Sequence, residues 1–253
     1  MQRSLLSIAA LCTFSACTYT RSTSSTSTGA GAAAAVQGAP ATGKIGNDIR
    51  WYRTAAEKRA AYVQGYRLAG ERVAALSAGR SAGTWAVILD ADETVLDNSR
   101  YQQERAVMDS GYTPTSWGQW IKRTEATDLP GAKKFIGDVR SLGGRVAIVT
   151  NRKQGECEDT RANLDKLEVK VDVVLCKDVS DDKNPRFAQV AAGVGGLPPL
   201  EVILWVGDNI QDFPGMTQDT MRAAPDSAFA DFGKRFVLLP NPMYGSWEKN
   251  PLP

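Results

Sequence analysis

The chain has no histidine at any of its 253 positions. That absence removes phosphohistidine chemistry, Ser-His-Asp triads, Cys-His dyads and His-ligated zinc together. Any catalysis must rest on carboxylates, hydroxyls, lysines or an oxygen-ligated metal. Cysteine is scarce, four in all. Cys12 and Cys17 lie near the N-terminus, while Cys157 and Cys176 fall in no metal-binding spacing. An oxidising compartment would let the latter two pair; two buried free thiols are the other possibility. Net charge is close to zero, at +2, so no strong field points to a nucleic acid polymer or an acidic membrane surface. What remains is ordinary globular composition, 43% hydrophobic and 23% charged, enough for one domain with a sizeable core and something smaller.

Against that background one stretch stands out, Thr84 to Tyr101, TWAVILDADETVLDNSRY. Trp85-Ala86-Val87-Ile88-Leu89 is too short for a typical helix and apolar enough throughout to be a strand buried on both faces. It breaks abruptly into Asp90-Ala91-Asp92-Glu93-Thr94. Three acids at the C-terminal end of a strand sit where α/β folds place their ligand crevice. Carboxylates crowded there repel one another and are costly to desolvate, which implies a cation or an acid/base task rather than a solvated acidic turn.

The N-terminus reads as an export signal. Arg3 gives a short positive region, Leu5 to Phe14 an apolar one, and Ser15-Ala16-Cys17 a small-residue cleavage site. The apolar segment is too short to span a bilayer. Phe14-Ser15-Ala16-Cys17 resembles a bacterial lipobox, with Phe14 in place of the usual leucine, so Cys17 is expected to be lipidated; simple periplasmic or secreted export is the alternative. Thr18 after Cys17 leans toward the outer membrane. From Thr18 to about Gly43 the chain is Ser, Thr, Ala and Gly with scarcely a large apolar residue. Such a segment cannot bury a core and is expected to be a flexible tether. The expected organisation is therefore a signal over 1–17, a tether over 18–43 and a domain over 44–253.

Within that domain, Asn47 to about Leu76 carries apolar residues at helical spacing and predicts two helices. Residues 100–129 hold Tyr101, Tyr112, Trp117 and Trp120 among polar neighbours and predict an inserted helical element beside the strand end. Regular alternation follows, with helices over 132–142, 156–167 and 183–194 and strands over 145–149, 171–175, 202–206 and 235–239. Strands separated by short helices predict a parallel sheet with helices on both faces. The strands ending at Asp90, at Thr150-Asn151-Arg152 and at Gly207-Asp208-Asn209 should bring their polar tips to one edge.

That edge would gather Asp90, Asp92, Thr150, Lys183, Asp208 and Asp212. Phosphoryl transfer needs this equipment: a carboxylate nucleophile, oxygen ligands for a hard cation, donors for the remaining oxygens, and a second acid to move a proton. Taken singly, Thr150 could be a capping hydroxyl, Lys183 a solvated charge at a helix start and Asp212 an N-cap. In order, however, D-x-D-x-T after an apolar strand, a strand-terminal Thr, a Lys before a helix and G-D-x-x-x-D resemble the four motifs of the haloacid dehalogenase-like (HAD) hydrolases. The longer forms VILDADETVLDNSRY and ILWVGDNIQDF look like the two-part signature of bacterial class C acid phosphatases of the lipoprotein 5′-nucleotidase type, a resemblance running from about Asn47 to Trp247.

The resemblance implies a HAD-like Rossmannoid α/β fold with a small helical cap at about 44–80 and 100–130. It implies an Mg²⁺-dependent phosphomonoesterase forming an aspartyl-phosphate. By position, Asp90 would be nucleophile and metal ligand. Asp92 would be general acid/base and offer its carbonyl to the metal, with Asp208 and Asp212 completing the metal site. Thr150 and Lys183 would bind the phosphoryl group, Asn151 would join them in binding substrate, and Trp117 and Tyr244 would sandwich the base or nicotinamide ring of a mononucleotide. Two departures stand out. Ser180-Asp181-Asp182 makes the approach to Lys183 one residue longer and more acidic, and Ala91 replaces a bulkier aliphatic. A phosphotransferase on the same site and a non-catalytic surface lipoprotein that kept the fold are the rival expectations.

Overall fold

The computed structural model describes residues 44–252. The signal, the tether and the lipidation assignment at Cys17 lie outside the described residues. The domain opens with α1 (Asn47–Thr54) and α2 (Ala56–Ser77), separated by one extended residue, Ala55. Strand β1 (Trp85–Leu89) follows, then the two-residue β2 (Leu96–Asp97), α3 (Ser99–Val107), α4 (Pro114–Arg123) and β3 (Thr127–Asp128). Helix α4 starts where Thr113 caps the Ser116 amide and Pro114 occupies the first turn, and it stops at Thr124 in a left-handed conformation. From there the alternation is α5 (Ala132–Ser141), β4 (Arg145–Lys153), α6 (Cys157–Lys166), β5 (Val173–Lys177), α7 (Asn184–Ala192), β6 (Glu201–Gly207), the one-turn α8 (Gln218–Met221) and β7 (Phe236–Leu238).

The sheet is parallel, in the order β5-β4-β1-β6-β7. Strand β1 is central, and its residues feed both faces by the two-residue period of a strand. Trp85, Val87 and Leu89 join the larger core with Tyr66 and Val73 of α2 and Phe135 and Val139 of α5. Ala86 and Ile88 join the second core with Phe187 and Val190 of α7. Burial on both sides is why the strand shows no polar alternation. After β1 the chain builds outward to β4 and β5, then returns past β1 to lay down β6 and β7. The carboxyl ends of β1 and its neighbours therefore flank a topological switch point, where open α/β sheets bind ligands.

Three local features differ from expectation. Strand β4 runs to Lys153, past Thr150-Asn151-Arg152, because Lys153 rejoins Lys177 of β5 beyond an irregularity in the pairing. Strand β5 is displaced two residues toward the C-terminus of its predicted span. The element inserted after β1 is not wholly helical: Leu96-Asp97 pairs antiparallel with Thr127-Asp128 and so pins α3 and α4 to the domain at both ends. Among the described residues, no helix is long and apolar enough to cross a membrane.

The open question over the domain's two cysteines is resolved. Cys157, at the start of α6, and Cys176, in β5, are joined in a disulfide with Cα atoms 5.8 Å apart. The bond staples the helix that follows the β4 tip to the neighbouring strand, across a separation of 19 residues. Closing a loop of that size in the unfolded chain stabilises the fold by about 3 kcal/mol in the chain-entropy account. The double variant Cys157→Ser/Cys176→Ser is expected to lose about that much unfolding free energy in urea. Adding a reductant should destabilise the parent by a similar amount and leave the variant unchanged.

Candidate active site

Asp90 is the first residue beyond β1, and its amide donates to the Val206 carbonyl of β6 at 3.0 Å. The chain then turns tightly, with the Val95 and Leu96 amides both donating to the Ala91 carbonyl. Glu93 adopts the left-handed region, φ 52°, at a cost of about 1–2 kcal/mol for a non-glycine residue. Two tyrosines of α2 hold that turn. Tyr62 donates to the Glu93 carbonyl at 2.5 Å and receives a hydrogen bond from Tyr52, while Tyr66 donates to the Thr94 carbonyl at 2.6 Å. Burial, reinforced by the charge of Asp208, pushes both tyrosines well above the usual phenol range, so they stay donors. Burial likewise pushes the fully enclosed Glu93 carboxyl well up.

Asp90, Asp208 and Asp212 converge, each offering a carboxylate oxygen within 4.8 Å of the others. Lys183, at the start of α7, bridges two of them, with Nζ 2.5 Å from Asp90 Oδ1 and 2.7 Å from Asp212 Oδ1. Burial opposes its charge, but Asp212 and Asp90 outweigh that and raise its pKa. The two extra acids before it do not compete: Asp181 pairs with Lys177 at 2.6 Å, and Asp182 caps the Asn184 amide at 2.9 Å. Asp208 accepts from Thr94 Oγ1 at 3.1 Å and Asn241 Nδ2 at 2.9 Å. Asp212 accepts from the Asn209 amide at 2.9 Å. Burial lifts Asp90 to about 7, offset by Lys183 and reinforced by Asp212 and Asp92. Asp208 is raised well above the carboxylate range by burial, then by Asp212 and Asp90. Asp90 and Asp212 share one ammonium and Asp208 is met by neutral donors, so three converging carboxyl groups face a single lysine. All the donors are hard oxygens, which fits a small divalent cation of the Mg²⁺ kind.

Asp92 occupies a different environment. Its Oδ1 accepts from Arg152 Nε at 2.9 Å, Arg152 Nη2 at 2.7 Å and Asn98 Nδ2 at 2.8 Å. Arg152 and Asn98 carry no role in the motif-based expectation; the long signature contains Asn98, and Arg152 follows Thr150-Asn151 directly. Thr150 is fully buried, and its hydroxyl accepts from the Arg152 amide at 3.1 Å. Its carbonyl accepts from Arg186. Asn151 accepts from Arg186 Nη2 at 2.6 Å and donates to the Asp181 carbonyl at 3.0 Å, so both ends of its amide hold the loop before Lys183.

The two aromatic candidates sit apart from the acids' own contacts. Trp117 of α4 packs edge-on to Tyr101, centroids 5.0 Å apart, with the Arg152 guanidinium 5.7 Å from its ring. Tyr244 packs on the core, and among the described residues its buried hydroxyl has no hydrogen-bond partner. Its segment is tied to the β6 tip where Ser246 Oγ donates to Asn209 Oδ1 at 2.7 Å.

The family model for the HAD superfamily, subfamily IIIB (acid phosphatase), matches residues 3–247. The chain belongs to this acid phosphatase family. The class C acid phosphatase from Bacillus anthracis is similar in structure, at 33% identity and a TM-score of 0.73, over 80% of this chain and 85% of that one. The same enzyme with tungstate bound matches at 32% identity and 0.72, over the same shares. This acid phosphatase is thus a phosphomonoesterase with a HAD-like α/β fold, in a family whose members are typically metal-dependent.

One glycine of this phosphatase is fixed by close approach. A Cβ on Gly207 would lie 2.3 Å from Cβ and from Oδ2 of Asp212. Gly207→Ala is expected to keep the fold by circular dichroism but displace Asp212 from Lys183. Misplacement of about 1 Å in such a site costs on the order of 10²-fold in rate. Steady-state kcat on an aryl phosphate checks this; a wild-type rate would show that Asp212 tolerates displacement.

Proposed function

We propose that this acid phosphatase is an exported, Mg²⁺-dependent enzyme that hydrolyses nucleoside or nicotinamide mononucleotides through an aspartyl-phosphate on Asp90. The observation that carries the proposal is the convergence of the Asp90, Asp208 and Asp212 carboxylates within 4.8 Å, bridged by Lys183. Asp90, Asp208 and Asp212, with the Asp92 carbonyl, would hold Mg²⁺, which when bound neutralises charge on the phosphoryl oxygens. An Asp90 oxygen attacks phosphorus, the ester P–O bond breaks, and Asp92 gives its proton to the departing oxygen. Asp92 then takes a proton from water as the water oxygen attacks phosphorus. The Asp90–phosphorus bond breaks and phosphate leaves. Lys183 and Thr150 donate to the phosphoryl oxygens. The tungstate held by the Bacillus anthracis enzyme supports oxyanion binding here by analogy.

The substrate class is supported by Trp117, partly exposed beside Arg152, and by Tyr244 with its unpartnered hydroxyl, both of which we assign to the substrate's ring. Export and lipidation at Cys17 are supported by the N-terminal pattern. The disulfide, a bond that persists in oxidising compartments, agrees with export.

Phosphate release from 4-nitrophenyl phosphate and nicotinamide mononucleotide, with Mg²⁺ and then with a chelator, tests the proposal. Chelator-sensitive release, faster on the nucleotide, is expected, and Asp90→Asn should abolish it. Release that survives chelation would refute the metal assignment. Trp117→Ala should raise KM for the nucleotide by about 5- to 100-fold, the loss of roughly 1–3 kcal/mol of stacking, and leave KM for the small aryl ester little changed. Equal losses on both would remove Trp117 from the ring site. Palmitate labelling of the expressed chain, absent in Cys17→Ser, checks the anchor.

A further inference from the structure

Arg152 is only 2% exposed, yet its guanidinium is committed almost wholly to the active site. Nε and Nη2 both reach Asp92, Nη2 also donates to Asn98 Oδ1 at 3.1 Å, and Nη1 donates to Thr160 Oγ1 at 3.3 Å. The two carboxylate oxygens of Asp92 are treated unequally. Oδ1 accepts three hydrogen bonds, two from Arg152 and one from Asn98, all at 2.7–2.9 Å. Oδ2 receives one long contact, from Arg152 Nε at 3.2 Å. An oxygen that already accepts three donors has no lone pair left for a proton, so the proton that Asp92 moves belongs on Oδ2.

We infer that Arg152 is the positioning residue of the reaction: its planar fork, anchored by Thr160 and Asn98, locks Asp92 so that Oδ2 alone handles the proton. The backbone of the same residue serves a second reacting group. The Arg152 amide occupies an acceptor site of Thr150 Oγ1, which leaves that hydroxyl's proton for a phosphoryl oxygen. A lysine would supply the charge of Arg152 but not the fork, since an ammonium has no planar pair of donors to fix the tilt of a carboxylate. The Arg152 guanidinium also lies over the indole of Trp117, 5.7 Å from the ring centroid, so the support of the acid adjoins the ring assigned above to the substrate.

The inference rests on Asp92 being the acid, and its test separates the two. Proton donation matters most for poor leaving groups, so the slope of log kcat/KM against leaving-group pKa, over aryl phosphates from dinitrophenyl to phenyl, reports it. Aryl esters alone keep ring stacking nearly constant across the series. Asp92→Asn should steepen that slope. Arg152→Lys and Arg152→Gln should steepen it in the same sense, widening the phenyl-to-dinitrophenyl gap by about tenfold, part of the 10²–10⁴-fold that a positioned acid supplies. Adding Arg152→Lys to Asp92→Asn should then change the slope no further. A purely structural arginine would lower every ester equally, and that result overturns the inference. A slope that steepens in Asp92→Asn but not in the Arg152 variants overturns it while sparing Asp92. No steepening in Asp92→Asn refutes both. If circular dichroism shows the Arg152 variants unfolded, Thr160→Val, which removes the Nη1 anchor along with the hydroxyl's own bond to the Glu156 carbonyl, decides: a steeper slope supports the lock and an unchanged one overturns it.

Discussion

The structure depends on one constraint: carboxylates crowded at a single sheet edge with little water to solvate them. Asp90, Asp92, Glu93, Asp97, Asp208 and Asp212 all lie on or beside the β1 and β6 tips, and each has its own answer to desolvation. Asp90 and Asp212 share the ammonium of Lys183. Asp92 takes the guanidinium of Arg152, and Asp97 the ammonium of Lys58 at 2.8 Å. Burial pushes the Glu93 carboxyl well up, and it accepts from the Asn98 amide at 2.8 Å. Among the described residues, Asp208 is served by neutral donors only, Thr94 and Asn241. A buried charge left without such a partner costs several kcal/mol, so these pairings are conditions of folding as much as parts of a site.

The uneven distribution of partners divides the labour. Acids paired with fixed cations are held in orientation, as Asp92 is. The Asp90–Asp208–Asp212 group has more carboxyl groups than cations, an imbalance that suits the metal site proposed above. Helices α1 and α2 take part through their tyrosines, which fasten the strained turn after β1 from outside the sheet. They are part of the frame that shapes the site.

The motif acids were legible in the sequence because their chemistry is concentrated: Asp90 and Asp92 lie within one turn, and Asp208 and Asp212 within another. The parallel sheet was legible from the alternation of short apolar runs with helical segments. The supporting residues were not. Arg152 meets Asp92 across 60 positions, Thr94 meets Asp208 across 114, and Asn241 meets Asp208 across 33. Nothing in local spacing encodes such contacts; they exist only once the sheet has set strand order. The pairing of β2 with β3 was hidden for a related reason, since two-residue strands carry no period. The fate of Cys157 and Cys176 stayed open because a 19-residue separation says nothing about whether two thiols will meet.

Asn241, tied to Asp208, has a consequence for biosynthesis. Residues emerge from the ribosome in order, so Asp90 appears 93 positions before Lys183, and Asp208 meets its second donor, Asn241, later still. Asp97 already has Lys58 behind it in the chain, and Asp92 gains Arg152 before Asp90 gains Lys183. The site thus acquires its counter-charges in an order written into the chain, the Asp92 support first and the second donor to Asp208 last.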